Sequence, residues 1–293
     1  MNLRSPRVWG PLALIGSVAL AIVARPSVLR LIHGSLPRFP YLSAPLSEKA
    51  YDALAARPGW AKTSLAVEPG IQLNGLVRRP EAGDAPWVLF FPGNDESQLT
   101  AGQDLLERLA GPRDWGLLVY ADRGYDSSGG TPSADALRED GYRILTGALA
   151  AEHLEPSRLH VVAFSMGGYV AAAAVGRAAR EHAPVASFST LAAVEKMEMV
   201  HSLPLSRIVM GDVFDTTPLL DDVPAPVLVQ HGTADTTLNV SQGRAIAEKL
   251  GTRATFRELN GVGHHDILRN EDALAAVRSM IESKLQRAPV ATP

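Results

Sequence analysis

The chain of 293 residues has no cysteine, which excludes disulfides, thiolate catalysis and cysteine-ligated zinc together. That absence leaves the compartment open, because oxidising and reducing surroundings suit a thiol-free chain equally. Charge of one sign is also lacking. The 28 basic and 31 acidic residues give a formal net charge of -3 and are spread along the chain, so no basic face is available for nucleic-acid phosphates. A nucleic-acid partner is not expected. There is no internal repeat and no low-complexity tract. With 46% hydrophobic and 20% charged residues, the composition is that of one large globular domain with small attachments.

One stretch departs from this average. Val8 to Ala24, "VWGPLALIGSVALAIVA", is uncharged, follows Arg4 and Arg7, and ends at Arg25-Pro26. As a helix it would span about 25 Å, the short end of what crosses a hydrocarbon core. Residues 1–25 therefore admit three readings: a single-pass membrane anchor with Trp9 at the interface, a signal peptide cleaved near Ala19-Leu20-Ala21, or a buried core helix. The basic leader and its short tail put the remainder of an anchored chain outside the cytoplasm, although Arg25, Arg30 and Arg38 follow the segment; a cleaved signal would make it secreted. Residues 26–59 are mixed and Pro-interrupted, and are expected to be a connector with a short helix near Leu46 to Ala56.

Beyond residue 60, short β-branched runs alternate with longer runs of helical spacing. "SLAVEP" and "IQLNGLVRR" predict an opening hairpin. "WVLFFPG", "GLLVYADRG", "LHVVAFS", "VASFST", "APVLVQHG" and "ATFREL" predict buried strands, and helical stretches such as "SQLTAGQDLLERLAG" lie between or after them. This alternation means a mostly parallel sheet with helices on both faces over residues 60–288. Residues 191–222 break the rhythm. Their Met-containing stretch "EKMEMVHSLPLSRIVMGDVF" is either a small lid over a site or a helical excursion packed on the sheet edge.

Residues 160 to 170, "HVVAFSMGGYV", turn from a β-branched run to a Gly-rich one around Ser165. Any tight strand-to-helix turn wants small residues, so Ser165 is identified by its partners. An open parallel sheet puts its working groups at the carboxyl ends of strands. Pro92-Gly93-Asn94-Asp95, Asp122-Arg123-Gly124-Tyr125, Asp235, and the pair His264 and His265 each follow a different predicted strand. The chain order Ser165, Asp235, His264 is that of the α/β-hydrolase triad. With "FFPGN", "YADRGYDSSG", "AFSMGG", "HGTADTT" and "GVGHHDI" in order over residues 60 to 285, the chain resembles the α/β-hydrolase superfamily, and within it the membrane-associated acyl-hydrolase branch.

The resemblance implies roles. Ser165 would be the nucleophile on a strained turn, with Ala163 and Gly167 at the positions that must be small; the family pattern has glycine where this chain has Ala163. His264 would be the general base, with His265 its competitor, and Asp235 would orient the imidazole. Asp221 and Asp222 precede their strand, and Asp266 is expected to cap the final helix. The oxyanion hole would use the backbone amides of Met166 and Asn94. Many relatives have histidine where this chain has Pro92, so support of that loop must differ. Arg123 is expected to brace its loop against Asp122 or Asp126, the alternative being a contact to a charged substrate group. His160 and His231 read as structural residues. No metal and no cofactor are expected, since "HHD" has no second ligand cluster near it in sequence.

These features imply a serine hydrolase for ester or thioester bonds, with acyl-chain substrates favoured by the hydrophobic segment and the lid candidate. A serine in the nucleophile position argues against the dehalogenase and epoxide-hydrolase branches, which need aspartate there. Two alternatives stand beside it: a serine aminopeptidase or acyl-peptide hydrolase, and an inactive membrane-tethered binding protein on the same fold. The oligomeric state is left open.

Overall fold

The computed structural model describes residues 41–197, 214–224 and 226–285. The expectations for residues 1–25 and for the middle of the lid candidate, 198–213, lie outside these residues, as does residues 26–40 of the expected connector. No helix among the described residues is long and apolar enough to cross a membrane.

The helix α1 (Glu48–Ala55) comes first, capped by the Ser47 side chain, which accepts from the Ala50 N–H. It is built into the domain rather than strung before it. The buried Tyr51 hydroxyl bonds the Gly75 carbonyl and amide at 2.6 and 3.1 Å, and Gln103 donates to the Leu54 carbonyl at 2.9 Å. Strands β1 (Trp60–Glu68) and β2 (Ile71–Arg78) form the antiparallel opening hairpin. β1 starts four residues ahead of the predicted "SLAVEP", because Trp60 pairs with Arg78 and its indole donates to Glu107 at 2.9 Å.

The apolar runs become strands buried on both faces: β3 (Trp87–Phe91), β4 (Gly116–Tyr120), β5 (Leu159–Phe164), β6 (Ser187–Leu191) and, beyond a short excursion, β9 (Val227–Gly232). With β10 (Ala254–Leu259) at the far edge the sheet runs β1-β2-β4-β3-β5-β6-β9-β10. The β1–β2 and β2–β4 pairings are antiparallel and the rest parallel. The excursion carries β7 (Lys196–Met197) paired antiparallel with β8 (Phe214–Asp215), followed by a single 3-10 turn at Thr217–Asp221.

Parallel neighbours need crossovers, and the helices supply them. α2 (Gln98–Ala110) and α6 (Glu271–Leu285) pack together on one face; α3 (Ala134–Ala151), α4 (Gly167–Arg180) and α5 (Ser241–Leu250) cover the other. Ser97 and Ser133 start α2 and α3, each accepting a backbone N–H three residues on, a cap worth about 1 kcal/mol. The last helix is capped differently from expectation. Asn270 accepts the Ala273 N–H at 2.9 Å, whereas Asp266 opens a separate 3-10 turn, Asp266–Arg269, four residues too early to reach α6.

Candidate active site

β5 passes into α4 through Ser165 and Met166, and Ser165 sits at φ 51°, a left-handed conformation that costs a non-glycine residue roughly 1–2 kcal/mol. The turn is held on both sides. The Ser165 N–H donates to the Leu191 carbonyl at 3.1 Å, and its own carbonyl accepts from Gly168 and Val194 at 3.0 and 3.1 Å. Gly167 has no room for a side chain, since a Cβ there would lie 2.2 Å from the Phe91 carbonyl oxygen and 2.4 Å from that of Pro92. Gly168 is equally confined, 2.4 Å from the Ala193 methyl, and the sequence reading missed it. Ala163, one residue before the turn's last strand position, is fully buried in register between Phe91 and Thr190.

Loops from two other strand ends meet this serine. After β10, His264 reaches 3.0 Å from Ser165 Oγ with Nε2 and 2.6 Å from Asp235 Oδ2 with Nδ1. Asp235 follows β9, and its Oδ1 accepts the Thr237 and Leu238 N–H groups at 2.9 and 2.7 Å. All three side chains are buried. Burial pushes the His264 imidazole below its ordinary value, against the opposing pull of the Asp235 hydrogen bond and charge. A neutral imidazole protonated toward the carboxylate leaves its Nε2 lone pair for the serine hydroxyl.

The rival residues stand elsewhere. His265 is exposed, with Nε2 3.1 Å from Asp95 Oδ1 and its ring edge-on to His264. Asp221 pairs with Lys249 at 2.6 Å and Asp222 with Arg180. Arg123 braces its loop, but with partners other than Asp122 and Asp126. Its Nε and Nη2 grip the fully buried Asp140 of α3 at 2.5 and 2.6 Å, and Nη2 reaches Glu68 at 3.0 Å. Asp126 is already engaged by the Leu99 N–H at 2.7 Å, and Asp122 faces Gln98. His160 Nδ1 lies 2.8 Å from Ser187 Oγ, and burial pushes that imidazole down to about 4, which keeps it neutral. His231 lies directly behind Asp235.

The loop after β3 runs beside the serine, since a Cβ on Gly93 would meet the Phe164 ring at 2.8 Å and Ser165 Cβ at 3.1 Å. Met166 follows the serine in helical conformation (φ -53°), buried, and its N–H meets no acceptor among the described residues. Asn94 uses its side chain for support. Its Oδ1 accepts from the Tyr125 hydroxyl at 2.5 Å and from the Leu42 N–H at 2.8 Å; burial raises the Tyr125 phenol, so it stays a donor.

Support that Pro92 cannot give comes from below. The buried Gln98 donates to the Gly93 carbonyl at 2.8 Å and to Asp122 Oδ2 at 2.9 Å, and accepts the Asp122 N–H at 2.7 Å. Sequence reasoning did not find Gln98, which lies in the first turn of a helix where a polar residue is unremarkable. Among the described residues no group of three or more histidine, cysteine or carboxylate side chains is arranged to hold a metal ion.

Complete burial pushes the Asp122 carboxyl up to about 7, and neighbouring Asp140 adds to the rise. Unfolded aspartate titrates near about 4. Between those values the folded chain holds a proton that the unfolded chain has lost, so stability falls as pH rises through this window and the whole cost is present above it. Asp122→Asn keeps a carbonyl oxygen for Gln98 and cannot ionise. Its Tm is expected to exceed wild type by a few degrees at pH 8, on the order of 1–4 kcal/mol at about 1.4 kcal/mol per tenfold change in proton affinity. In melts at lower pH the gap should close toward pH 4, and a gap independent of pH would dismiss the burial argument.

A mostly parallel sheet in this strand order, with a serine elbow after β5 and acid and histidine loops after β9 and β10, defines the α/β-hydrolase fold. Solved structures of similar fold include an α/β hydrolase from Vibrio vulnificus, at TM-score 0.67 and 18% identity over 97% of this chain and 98% of that one. The esterase RhEst1 from Rhodococcus sp. is similar at TM-score 0.59 and 18% identity over 76% and 98%. A membrane phospholipase A, described as a bacterial virulence factor, is similar at TM-score 0.59 and 17% identity over 94% and 98%. No family model matches the chain, and no curated protein matches it by sequence. At such identities the likeness is one of fold, and what the site does rests on its own residues.

Proposed function

We propose that the chain is a serine hydrolase that cleaves carboxylic ester or thioester bonds through an acyl-enzyme on Ser165. The observation that carries this reading is the unbroken hydrogen-bond chain from Asp235 Oδ2 through His264 to Ser165 Oγ, ending on a residue held at φ 51°. Ser165 Oγ attacks the acyl carbon as His264 Nε2 takes its proton. The oxyanion that forms is proposed to be held by the Met166 and Asn94 N–H groups, preorganised donors that each lower the barrier by about 3–4 kcal/mol. Collapse breaks the bond to the alcohol or thiol, which leaves with the proton from His264. Water then repeats the sequence on the acyl-enzyme and restores Ser165.

Acyl chains are the substrate class to test first, given the phospholipase and esterase among the similar folds and the hydrophobic segment Val8 to Ala24. That segment is proposed to hold the enzyme at a membrane with its site outside the cytoplasm; release of the chain by alkaline carbonate washing would dismiss the anchor. The chemistry is tested by a fluorophosphonate probe with peptide mapping. An adduct on Ser165 that is absent from Ser165→Ala is expected. A folded wild type that takes no probe would overturn the hydrolase reading in favour of a binding protein, and an adduct elsewhere would move the nucleophile. p-Nitrophenyl esters of graded chain length beside aminoacyl anilides then separate an esterase from a peptidase.

A further inference from the structure

We infer that His231 is a positioning residue for this site: its Nε2–H holds the carboxylate of Asp235 and so sets the aim and proton affinity of His264. The inference rests on the reading of Ser165, His264 and Asp235 as a triad. His231 is the penultimate residue of β9 and is fully buried. Its Nε2 lies 2.8 Å from the Leu238 carbonyl oxygen and 3.2 Å from Asp235 Oδ2. Its Nδ1 is buried with no hydrogen-bond partner among the described residues. A neutral imidazole carries one N–H, and both acceptors lie at Nε2, so the proton belongs there.

The ring has little freedom to leave. A Cβ on Gly243 would lie 2.7 Å from His231 Cβ and 2.9 Å from Nδ1, so α5 closes on the imidazole wherever glycine permits it. Asp235 is thereby held at every oxygen. Oδ1 takes the Thr237 and Leu238 amides, while Oδ2 is shared by His264 Nδ1–H and His231 Nε2–H.

This sharing has a direct chemical consequence. The His231 N–H spends part of the Oδ2 basicity, which weakens the carboxylate's hold on an imidazolium at His264 and favours return of the proton to the leaving group. It also stops Oδ2 from swinging with the ring. The titratable groups facing His264 are Asp235, His231 and His265, and Asp95 reaches only His265. Of these, His231 alone touches the carboxylate from behind.

The test compares His231→Leu, which removes the donor, with His231→Gln, whose Nε2 amide reaches a similar position. For His231→Leu a fall in kcat of about tenfold is expected with KM within about twofold, the scale of a slightly misaimed catalytic group. The acid limb of its kcat/KM profile should move to higher pH, because the unshared carboxylate stabilises the imidazolium. His231→Gln should recover most of kcat and return the limb. A His231→Leu enzyme that melts cooperatively and keeps the wild-type kcat and pH profile would overturn the inference.

A measurement on the wild type needs no variant to fold. Nitrogen-15 histidine NMR should find the His231 proton on Nε2, where both of its acceptors lie. A proton on Nδ1 with Nε2 bare would overturn the inference equally. A wild type that is not labelled at Ser165 removes the triad reading and this one with it. A labelled wild type with unresponsive His231 variants removes this one alone.

Discussion

Asp235→Asn is expected to lower kcat about 10⁴-fold with a p-nitrophenyl ester while the chain still melts near the wild-type temperature. The amide oxygen of the new side chain must take the place of Oδ1, because two backbone donors, Thr237 and Leu238 N–H, point at that position. The NH₂ group then faces His264 Nδ1 and the His231 Nε2–H. To accept from it, His264 must carry its own proton on Nε2, which makes that nitrogen a donor toward Ser165. Flipping the amide sets its NH₂ against two amides instead. Only that flipped orientation keeps an acceptor for His264 Nδ1–H, and its two donor–donor clashes leave the first orientation, which has no lone pair on Nε2 for the serine proton, as the populated one. Ser165→Ala removes the atom proposed to attack and sets the reference, on the order of 10⁶-fold in kcat. An Asp235→Asn enzyme within tenfold of wild type would dismiss this role for the carboxylate.

Gly167→Ala is expected to cost stability as well as activity, by about 3 kcal/mol or more, since overpacking against backbone has no cheap relief. The added methyl would sit 2.2 Å from the Phe91 oxygen and 2.4 Å from the Pro92 oxygen, distances at which something must move. What moves is the end of β3 or the start of α4. The first carries Gly93 and Asn94 away from the serine, and the second turns Met166 and its N–H. A fall in Tm of roughly 6–12 °C is expected for a domain of this size, together with loss of the fluorophosphonate adduct. A chain that melts as wild type does would mean that β3 retreats freely. At Gly168 the obstacle is the Ala193 side chain, so Gly168→Ala offers the milder comparison.

Much of this arrangement is legible in the chain. The change of period from continuous β-branched runs to helical spacing marks the sheet and its crossovers, because a strand buried on both faces has no polar side to display. The rule that working groups follow strands separates Asp235 from Asp221 and Asp222, which precede β9 and pair with Lys249 and Arg180 instead. Less legible are the contacts that hold the loops. Arg123 has two acidic neighbours in sequence, yet it bonds Asp140, which a helical crossover brings beneath it. Gln98, Asp122 and Tyr125 support the Pro92-Gly93-Asn94 loop with no motif to announce them. Asp266 carries the residue type of a helix cap, but α6 begins later and Asn270 does the capping.

By itself the sequence determined the alternation of elements, the need for a small residue at Gly167, and the order in which a serine, an acid and a histidine leave three different strand ends. Those properties are local, set by side-chain volume, backbone freedom and periodicity. Only the tertiary structure decided which of two adjacent histidines turns inward and which pairs with Asp95. It alone revealed that His231, an unremarkable strand residue, lies 3.2 Å behind the acid. The physical reason is reach. A hydrogen bond extends about 3 Å, whereas His264 stands 29 residues from Asp235 and 99 from Ser165, so these contacts exist only once the sheet has closed the distance.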